Sequence, residues 1–517
     1  MKNTSKEYWK GLEQLSNDVD FVKYADKEFP EYVPVKEQNN ADEGGNSRRD
    51  FLKLMGFSVA AASLAACEAP VRKAIPYLNK PVEVDPGIPN YYASTYINGG
   101  DVSSIVVKTR EGRPIKIEGN RESSINRGGV NAQMEASVLN LYDTERLRKP
   151  AEGGKDTTWE SLDQKVIAEL GAIAGAGGQI RIVSRTVASP TTQKAIDAFK
   201  AKYPNTQHIQ YDPASAHGII AANNETFGRA GVPVYDFSKA EVIVSFAADF
   251  LGTWLSPVEY TKQYSKGRKI NAAHRAMSRH YQFEANLSLT GANADYRVPV
   301  RPSQEGLIVG ALYNAIAAKA GQGTIGTTAV ANVPFIEKAA NELWAARGKS
   351  LVVAGSNDTN VQKVVNGINY LLGNYGQTLH LDKLANIRRG NDTAITGFAR
   401  ELAAGRIPGV IFFDCNPVYD HFAGTTIAEG LPKAQLSVST STTQDETAAI
   451  CKFIAPNNHY LESWNDAEPH TGHLSLGQPT ISPLFDTRQA QSSFLTWAQE
   501  ADTDYLAFLQ ENWKVNY

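Results

Sequence analysis

Short apolar runs alternate with amphipathic windows from residue 151 onwards. Helical windows such as "SPTTQKAIDAFKAKY", which begins with the typical helix-start residues Ser189 and Pro190, lie between these runs. Buried apolar strands that alternate with helices predict a parallel α/β fold, here with two such units. Ligands of such sheets bind at the carboxyl ends of the strands. The strand-like runs are "QIRIVS" (179–184), "AEVIVSF" (240–246), "KSLVVAGS" (349–356), "GVIFFDCNP" (409–417) and "AQLSVST" (434–440).

The residues before 151 follow other patterns. In "SSIVVKTREGRPIKIEGN" two runs rich in β-branched residues flank Glu111-Gly112, which predicts a hairpin turn. The first 46 residues are polar, and their stretch "EQNNADEGGNS" has a disorder-prone composition. We therefore divide the chain into a polar extension (1–46), a signal segment (47–67), a β-rich domain (68–150) and an α/β region (151–517).

The signal segment carries two adjacent arginines before a short apolar run. Ser47 to Lys53 fits the twin-arginine export pattern S/T-R-R-x-F-L-K, with Arg48, Arg49 and Phe51 at its defined positions. The apolar run 54–66 is shorter than the ~20 residues that span a membrane, so it predicts a targeting signal. Twin-arginine export carries folded proteins and is common where a cofactor is inserted in the cytoplasm, so the signal indicates a redox cargo.

Cys67 closes this segment in "LAAC", which resembles a lipobox. The pattern predicts cleavage before Cys67 and lipid attachment to it, and acyl chains would then hold the protein at the membrane surface. The expected location is the periplasmic face of the inner membrane. The alternative is that Cys67 is an ordinary thiol within an uncleaved signal.

Composition excludes several function classes. The chain has 517 residues, 42% of them hydrophobic and 21% charged, with a net charge of −3, which is ordinary for a soluble globular protein and indicates no nucleic-acid partner. The three cysteines have no CxxC spacing, and a cubane cluster takes about four thiolates. Cys415 and Cys451 lie in strand-like contexts and are predicted to be buried thiols, with a disulfide between them as the alternative.

Polar residues near the C-terminus are the other candidates for chemistry. His470 and His473 are close enough in sequence to share a metal, but without a nearby third ligand we expect surface or hydrogen-bonding roles. The stretch "NNHYLESWNDAEPHTG" is predicted to be a long loop, in which Glu462, Asp466 and Glu468 form a polar cluster; an acid–base pair among them is the alternative. No G-x-S-x-G nucleophile motif is present in the sequence.

Several segments in order resemble molybdopterin oxidoreductases. They are "GRPIKIEGNRESSINRGGVNAQMEASVLNLYDTERLRKP", "AEVIVSFAADFLGTWLSP", "KSLVVAGSNDTNVQKVVNGINYLLGN" and the region from "DCNPVYDHFAG" to "QPTISPLF". With "YWKGLEQL", "KEFPE" and "SRRDFLKLMG", the chain is most similar to the N-terminal part of the iron–sulfur B subunit of alternative complex III, a quinol-oxidising respiratory complex. The resemblance implies a small β-rich domain followed by two interleaved parallel-sheet units.

The chain departs from this family in its ligands. Family members usually carry cluster cysteines near the N-terminus, but Gly128–Asn131 stands where one is expected. The metal ligand of the family is usually a Cys, Sec, Ser or Asp, and here the matching stretch "YDPASAHG" offers only Asp212 and Ser215. A lone Ser or Asp near a strand end is usually a helix cap. We therefore assign no catalytic, cofactor-binding or metal-ligating residue.

These departures predict a cofactor-free scaffold without catalytic activity of its own. The strand-end loops keep Gly355, Asn357, Asn416 and Pro417, so we expect the fold to persist, its cradle filled by side chains or by "YDPASAHG". The family continues into a C-terminal part with iron–sulfur clusters, so we expect a fragment or a split gene product. The expected partners are membrane and haem subunits that handle the quinol. A molybdenum or tungsten bis-pterin reductase with an oxygen ligand is the alternative, and a lipoprotein without a redox role is a third hypothesis.

Overall fold

The computed structural model describes residues 84–85, 87–270, 275–326 and 333–517. Arg48, Arg49, Phe51 and Cys67, the residues of the predicted signal, lie outside them. The described residues belong to one compact unit. No helix in the described ranges has the length and the apolar character needed to cross a membrane.

The strands of the described ranges are numbered in chain order. They are β1 (Pro89–Asn98), β2 (Asp101–Arg110), β3 (Arg113–Gly119), β4 (Ala151–Glu152), β5 (Lys155–Asp156), β6 (Ile180–Ser184), β7 (Thr206–Gln210), β8 (Val232–Tyr235), β9 (Val242–Phe246), β10 (Arg279–Glu284), β11 (Tyr296–Pro299), β12 (Ser350–Ala354), β13 (Leu379–Ala385), β14 (Gly409–Phe413), β15 (Leu436–Ser439), β16 (Phe453–Ile454), β17 (Asn465–His470) and β18 (His473–Gly477).

The α-helices are numbered in the same way. They are α1 (Ala132–Asn140), α2 (Trp159–Gly175), α3 (Pro190–Lys202), α4 (His217–Phe227), α5 (Pro257–Arg268), α6 (Leu289–Ala292), α7 (Glu305–Lys319), α8 (Ile336–Ala345), α9 (Thr359–Leu371), α10 (Asp392–Ala403), α11 (Pro417–Asp420), α12 (Gly424–Gly430), α13 (Ala490–Trp497) and α14 (Tyr505–Asn516).

The first three strands form an antiparallel sheet in the order β1-β2-β3. Glu111 and Gly112 both have positive φ (52° and 76°), as the two central residues of a type I′ hairpin turn require. The turn that the sequence predicts at Glu111-Gly112 is therefore confirmed. Alternating residues of the sheet, such as Ile105 and Val107, are fully buried and pack with α1 against Leu461.

A seven-stranded sheet in the order β5-β4-β16-β15-β14-β6-β7 forms the first α/β unit. Its strands β7, β6, β14, β15 and β16 are parallel, and β14 pairs with β6 although the two are far apart in the chain. Ser189 caps α3 by accepting a hydrogen bond from Thr192 N, and Pro190 begins the helix, as the sequence predicts. The second unit, inserted between β7 and β14, contains the parallel sheet β11-β10-β9-β12.

The stretch predicted to be a long loop is not one. Its second half is strand β17, which pairs with β18 and β13 in the antiparallel sheet β18-β17-β13-β8. The prediction was wrong because the sequence of this segment is polar, which is typical of loops. Buried contacts with distant residues hold it as a strand. Asp466 is fully buried there and accepts hydrogen bonds from Ser189, Thr191 and Trp513 Nε1, which hold α3 and α14.

Candidate functional site

At the carboxyl end of the first parallel sheet, the loop after β7 contacts the loop after β13, a strand of the antiparallel sheet. Asp212 is buried and accepts hydrogen bonds from Thr186 Oγ1 (2.8 Å), Gly390 N (2.9 Å) and Arg389 N (3.2 Å). These donors come from two segments of the chain that are far apart in sequence. Asp212 therefore ties strand ends together, and its oxygens are already engaged.

Ser215 is engaged in the same way. Its Oγ donates to the Asp392 carboxylate at 2.8 Å and 2.9 Å and accepts from His217 N at 3.0 Å. Asn357 Nδ2 also donates to Asp392 (2.8 Å), while Asn357 Oδ1 accepts from Gly218 N (2.7 Å). A continuous chain of hydrogen bonds thus joins the loop after β7, the loop after β12 and the start of α10.

The backbones at this junction touch directly. A Cβ added at Gly218 would lie 2.3 Å from the Asn357 carbonyl oxygen, and one added at Gly390 would lie 2.6 Å from Asp212 N. A Cβ added at Gly355 would lie 2.4 Å from the Ala247 carbonyl oxygen. The glycine and asparagine that the sequence marks as remnants of a cradle, Gly355 and Asn357, are therefore used for close packing between loops.

The other strand-end loop is also closed by its own contacts. Asn416 Oδ1 accepts from Thr447 Oγ1 (2.7 Å), and Asn416 Nδ2 donates to Glu446 (2.7 Å). Pro417 begins α11. The polar groups of this loop thus bind the segment that follows β15.

Gly128–Asn131, which stand where family members usually carry a cluster cysteine, have a structural role. Asn131 caps α1 by accepting a hydrogen bond from Met134 N, and Gly128 has a positive φ of 79°. Cys415 and Cys451 are buried free thiols, as predicted, and burial raises the pKa of both. The alternative of a disulfide between them is therefore wrong.

Of the C-terminal polar residues that we considered for chemistry, His470 and His473 are cross-strand partners, whereas Glu462 and Glu468 bind elsewhere. His470 Nε2 lies 3.3 Å from Glu259 Oε2, and His473 Nδ1 lies 3.5 Å from Ser124 Oγ. Glu462 forms a buried ion pair with Arg146 at 2.7 Å, and Glu468 accepts from Gly472 N. Within the described ranges no three His, Cys, Asp or Glu side chains are placed to hold a metal ion.

A cavity of about 230 Å³ lies at the carboxyl ends of β6 and β14, next to the turn between β1 and β2. The ionisable side chains in its wall, apart from Tyr and His, are Arg185 and Asp414. His459 also lines it; burial lowers the pKa of His459 to about 4, so this imidazole is neutral. Its Nε2 donates to Ser137 O, and its Nδ1 accepts from Leu461 N.

Sequence reasoning missed Arg185 and Asp414. Each is the first residue after a correctly predicted strand, β6 or β14, so the rule that ligands bind at strand ends could have found both. Asp414 also has a positive φ of 49°, which is uncommon for a residue other than glycine.

These residues do not fit a bis-pterin metal centre. Asp212 and Ser215, the oxygen donors that the resemblance suggests, already bind Thr186, Gly390 and Asp392. Sites for drug-sized ligands run from roughly 300 to 1,000 Å³, and a bis-pterin cofactor is larger than such ligands. The cavity of about 230 Å³ falls below that range.

We expect Asp212→Ala to lower the free energy of unfolding by about 1–3 kcal/mol, because it leaves buried donors such as Gly390 N without an acceptor. Chemical denaturation of the variant and the parent protein measures this loss. The matched control is Asp197→Ala, at an exposed aspartate, with an expected change within about 0.5 kcal/mol. Unchanged stability in Asp212→Ala would contradict the structural role.

The fold is similar to that of a solved structure. The structure is similar to acetylene hydratase from Pelobacter acetylenicus, with a TM-score of 0.63 and 12% identity over 82% of this chain and 74% of that chain. No protein-family model matches the sequence. The α/β architecture of the molybdopterin oxidoreductases, which the sequence predicts, is confirmed.

One curated protein is similar in sequence over most of this chain. The chain is 25% identical over 433 residues to the menaquinone reductase, molybdopterin-binding-like subunit, of Nitratidesulfovibrio vulgaris. The match covers 75% of this chain, and the chain spans 62% of the length of that relative. The fold is therefore shared with a solved enzyme, and the sequence is similar to that of a curated subunit described as molybdopterin-binding-like.

Proposed function

We propose that the chain is a molybdopterin-enzyme-like scaffold subunit of a membrane-bound respiratory complex that oxidises or reduces a quinone. The name of the curated relative, a menaquinone reductase subunit described as molybdopterin-binding-like, supports this function. The sequence resemblance narrows the proposal to a complex of the alternative complex III type. In that assembly, iron–sulfur clusters outside this chain carry the electrons, and membrane and haem subunits handle the quinol.

The observation that carries the scaffold proposal is the hydrogen-bonded junction between the strand ends. Ser215, Asn357 and Asp392 satisfy one another, so a metal would have to displace existing bonds to gain an oxygen ligand. The junction also holds the two parallel sheets together through contacts of the chain itself. A scaffold needs that rigidity, because it positions other redox groups and transfers no electrons itself.

We expect the purified full-length protein to contain molybdenum, tungsten and iron far below one atom per chain. Elemental analysis by mass spectrometry tests this, together with a fluorescence assay for pterin released by acid oxidation. A molybdenum reductase produced in the same host and medium is the control for cofactor supply. Close to one molybdenum or tungsten atom per chain would favour the alternative, a bis-pterin reductase with an oxygen ligand.

The same proposal includes export to the periplasmic face of the inner membrane. We expect Arg48→Lys with Arg49→Lys to leave the protein in the cytoplasm, because the arginine pair is the recognised element of the signal. Cell fractionation measures the distribution, with Lys53→Arg as the matched basic substitution that should export normally. Periplasmic accumulation of the double variant would contradict twin-arginine export.

Lipid attachment at Cys67 is the remaining part of the proposal, and it supplies the contact with the membrane surface. The intact mass of the mature protein decides it: an acylated chain that begins at Cys67 supports the anchor. Residues 1–66 retained without acyl mass would refute it.

A further inference from the structure

The cavity between the β1–β2 turn and the carboxyl ends of β6 and β14 has unsatisfied polar groups in its wall. Gln491 is 4% exposed; its Nε2 donates to Thr192 Oγ1, but its Oε1 has no hydrogen-bond partner among the described residues. Arg185 NH1 donates to Asn98 Oδ1 at 2.7 Å, whereas its buried Nε has no partner in the same ranges. Unpaired buried polar atoms are rare in folded proteins and call for an explanation.

Asp414 supplies the opposite charge. Its backbone N–H donates to Thr440 Oγ1, and the residue is exposed and lines the cavity. Desolvation by neighbouring protein atoms raises the pKa of Asp414; Arg185 opposes this shift, and Asp445 adds to it. Tyr96 and Cys415 are the other titratable groups that the carboxylate influences. A cation in the cavity would therefore stabilise the ionised form of this carboxyl group.

The charges in the wall thus consist of one guanidinium and one carboxylate that form no direct ion pair with each other. A ligand that satisfies both must carry a negative and a positive group. Its carboxylate can accept from Arg185, and its ammonium can donate to Asp414 and to Gln491 Oε1. The volume of about 230 Å³ suits a molecule of this kind, because cavities of about 150 Å³ already accept benzene.

We propose that this cavity binds a small zwitterion of the size class of a free α-amino acid, with its carboxylate on Arg185 and its ammonium group on Asp414. The site uses the unpaired groups of the wall and requires no cofactor. The proposal is independent of the scaffold function, since it concerns a ligand and not an electron-transfer role. Metal content therefore tests the scaffold function, and ligand binding tests this cavity. Either hypothesis can be refuted without the other.

Isothermal titration of the full-length protein with glycine, L-alanine, L-serine and L-glutamine tests the proposal. We expect at least one of these amino acids to bind. Acetate carries only the carboxylate and methylammonium only the ammonium group, so each should bind at least about tenfold more weakly. Arg185→Gln and Asp414→Asn should each weaken binding about ten- to a hundredfold, because each removes one charged hydrogen-bonding partner.

The controls separate binding from folding. Asparagine tolerates positive φ, so Asp414→Asn is expected to keep the parent's thermal unfolding. Arg406→Gln, at an exposed arginine before the amino end of β14, should bind as the parent protein does. No binding of any of the four amino acids, equal binding of acetate, or unchanged binding in both wall variants would each overturn the proposal.

Discussion

Arg146→Ala should be strongly destabilising, by about 3–5 kcal/mol of unfolding free energy, because it leaves a buried carboxylate without its partner. Arg146 donates to both oxygens of Glu462, at 3.2 Å and 2.7 Å, and the two side chains are 2% and 0% exposed. Glu462 also accepts from His459 N and Leu484 N. The pair therefore fixes the segment before β4 against the loop before β17 and the segment after β18.

Denaturant unfolding measures this loss, and two further variants identify its cause. Lys165→Ala removes an exposed ion pair with Glu152 and should cost no more than about 1 kcal/mol. Arg146→Met combined with Glu462→Gln removes both charges and keeps an acceptor for Leu484 N, so it should be less destabilising than Arg146→Ala. If Arg146→Ala were no worse than Lys165→Ala, the buried pair would not stabilise the fold.

The second large effect is expected on acidification. Burial lowers the pKa of three histidines, His208, His280 and His459, from 6.5 to about 4. All three are therefore neutral in the folded protein, whereas the unfolded chain takes up their protons below about pH 6.5. Unfolding then binds protons, so stability is intact above about pH 6.5 and falls as the pH drops towards 4. At about pH 5 the three together should cost roughly 6 kcal/mol.

Unfolding free energies measured between pH 7 and pH 5 test this loss. His459→Gln should show a shallower decline with acid, even though it is less stable at pH 7. His380→Gln is the control, because His380 is only partly buried, with 24% of its side chain exposed. An acid slope in His459→Gln as steep as that of the parent protein would show that other groups cause the loss.

Local sequence determined the elements whose signal lies within a few neighbouring residues. Strands β6, β9, β12, β14 and β15 were predicted from β-branched and aromatic runs, which fit a buried parallel sheet whatever the rest of the chain does. The turn at Glu111-Gly112 and the helix start at Ser189 and Pro190 were predicted because their conformations follow from those residues themselves.

Only the tertiary structure decided the pairings and the candidate site. Strand β17 is polar, and its burial depends on Ser189, Thr191 and Trp513, which lie far away in the chain. Likewise, Arg146 meets Glu462 across 316 positions, and Asp212 meets Gly390 across 178. A carboxylate can be a metal ligand, a cap or one half of an ion pair. Which of these it becomes depends on the donors that folding brings to it, and a local pattern does not contain them.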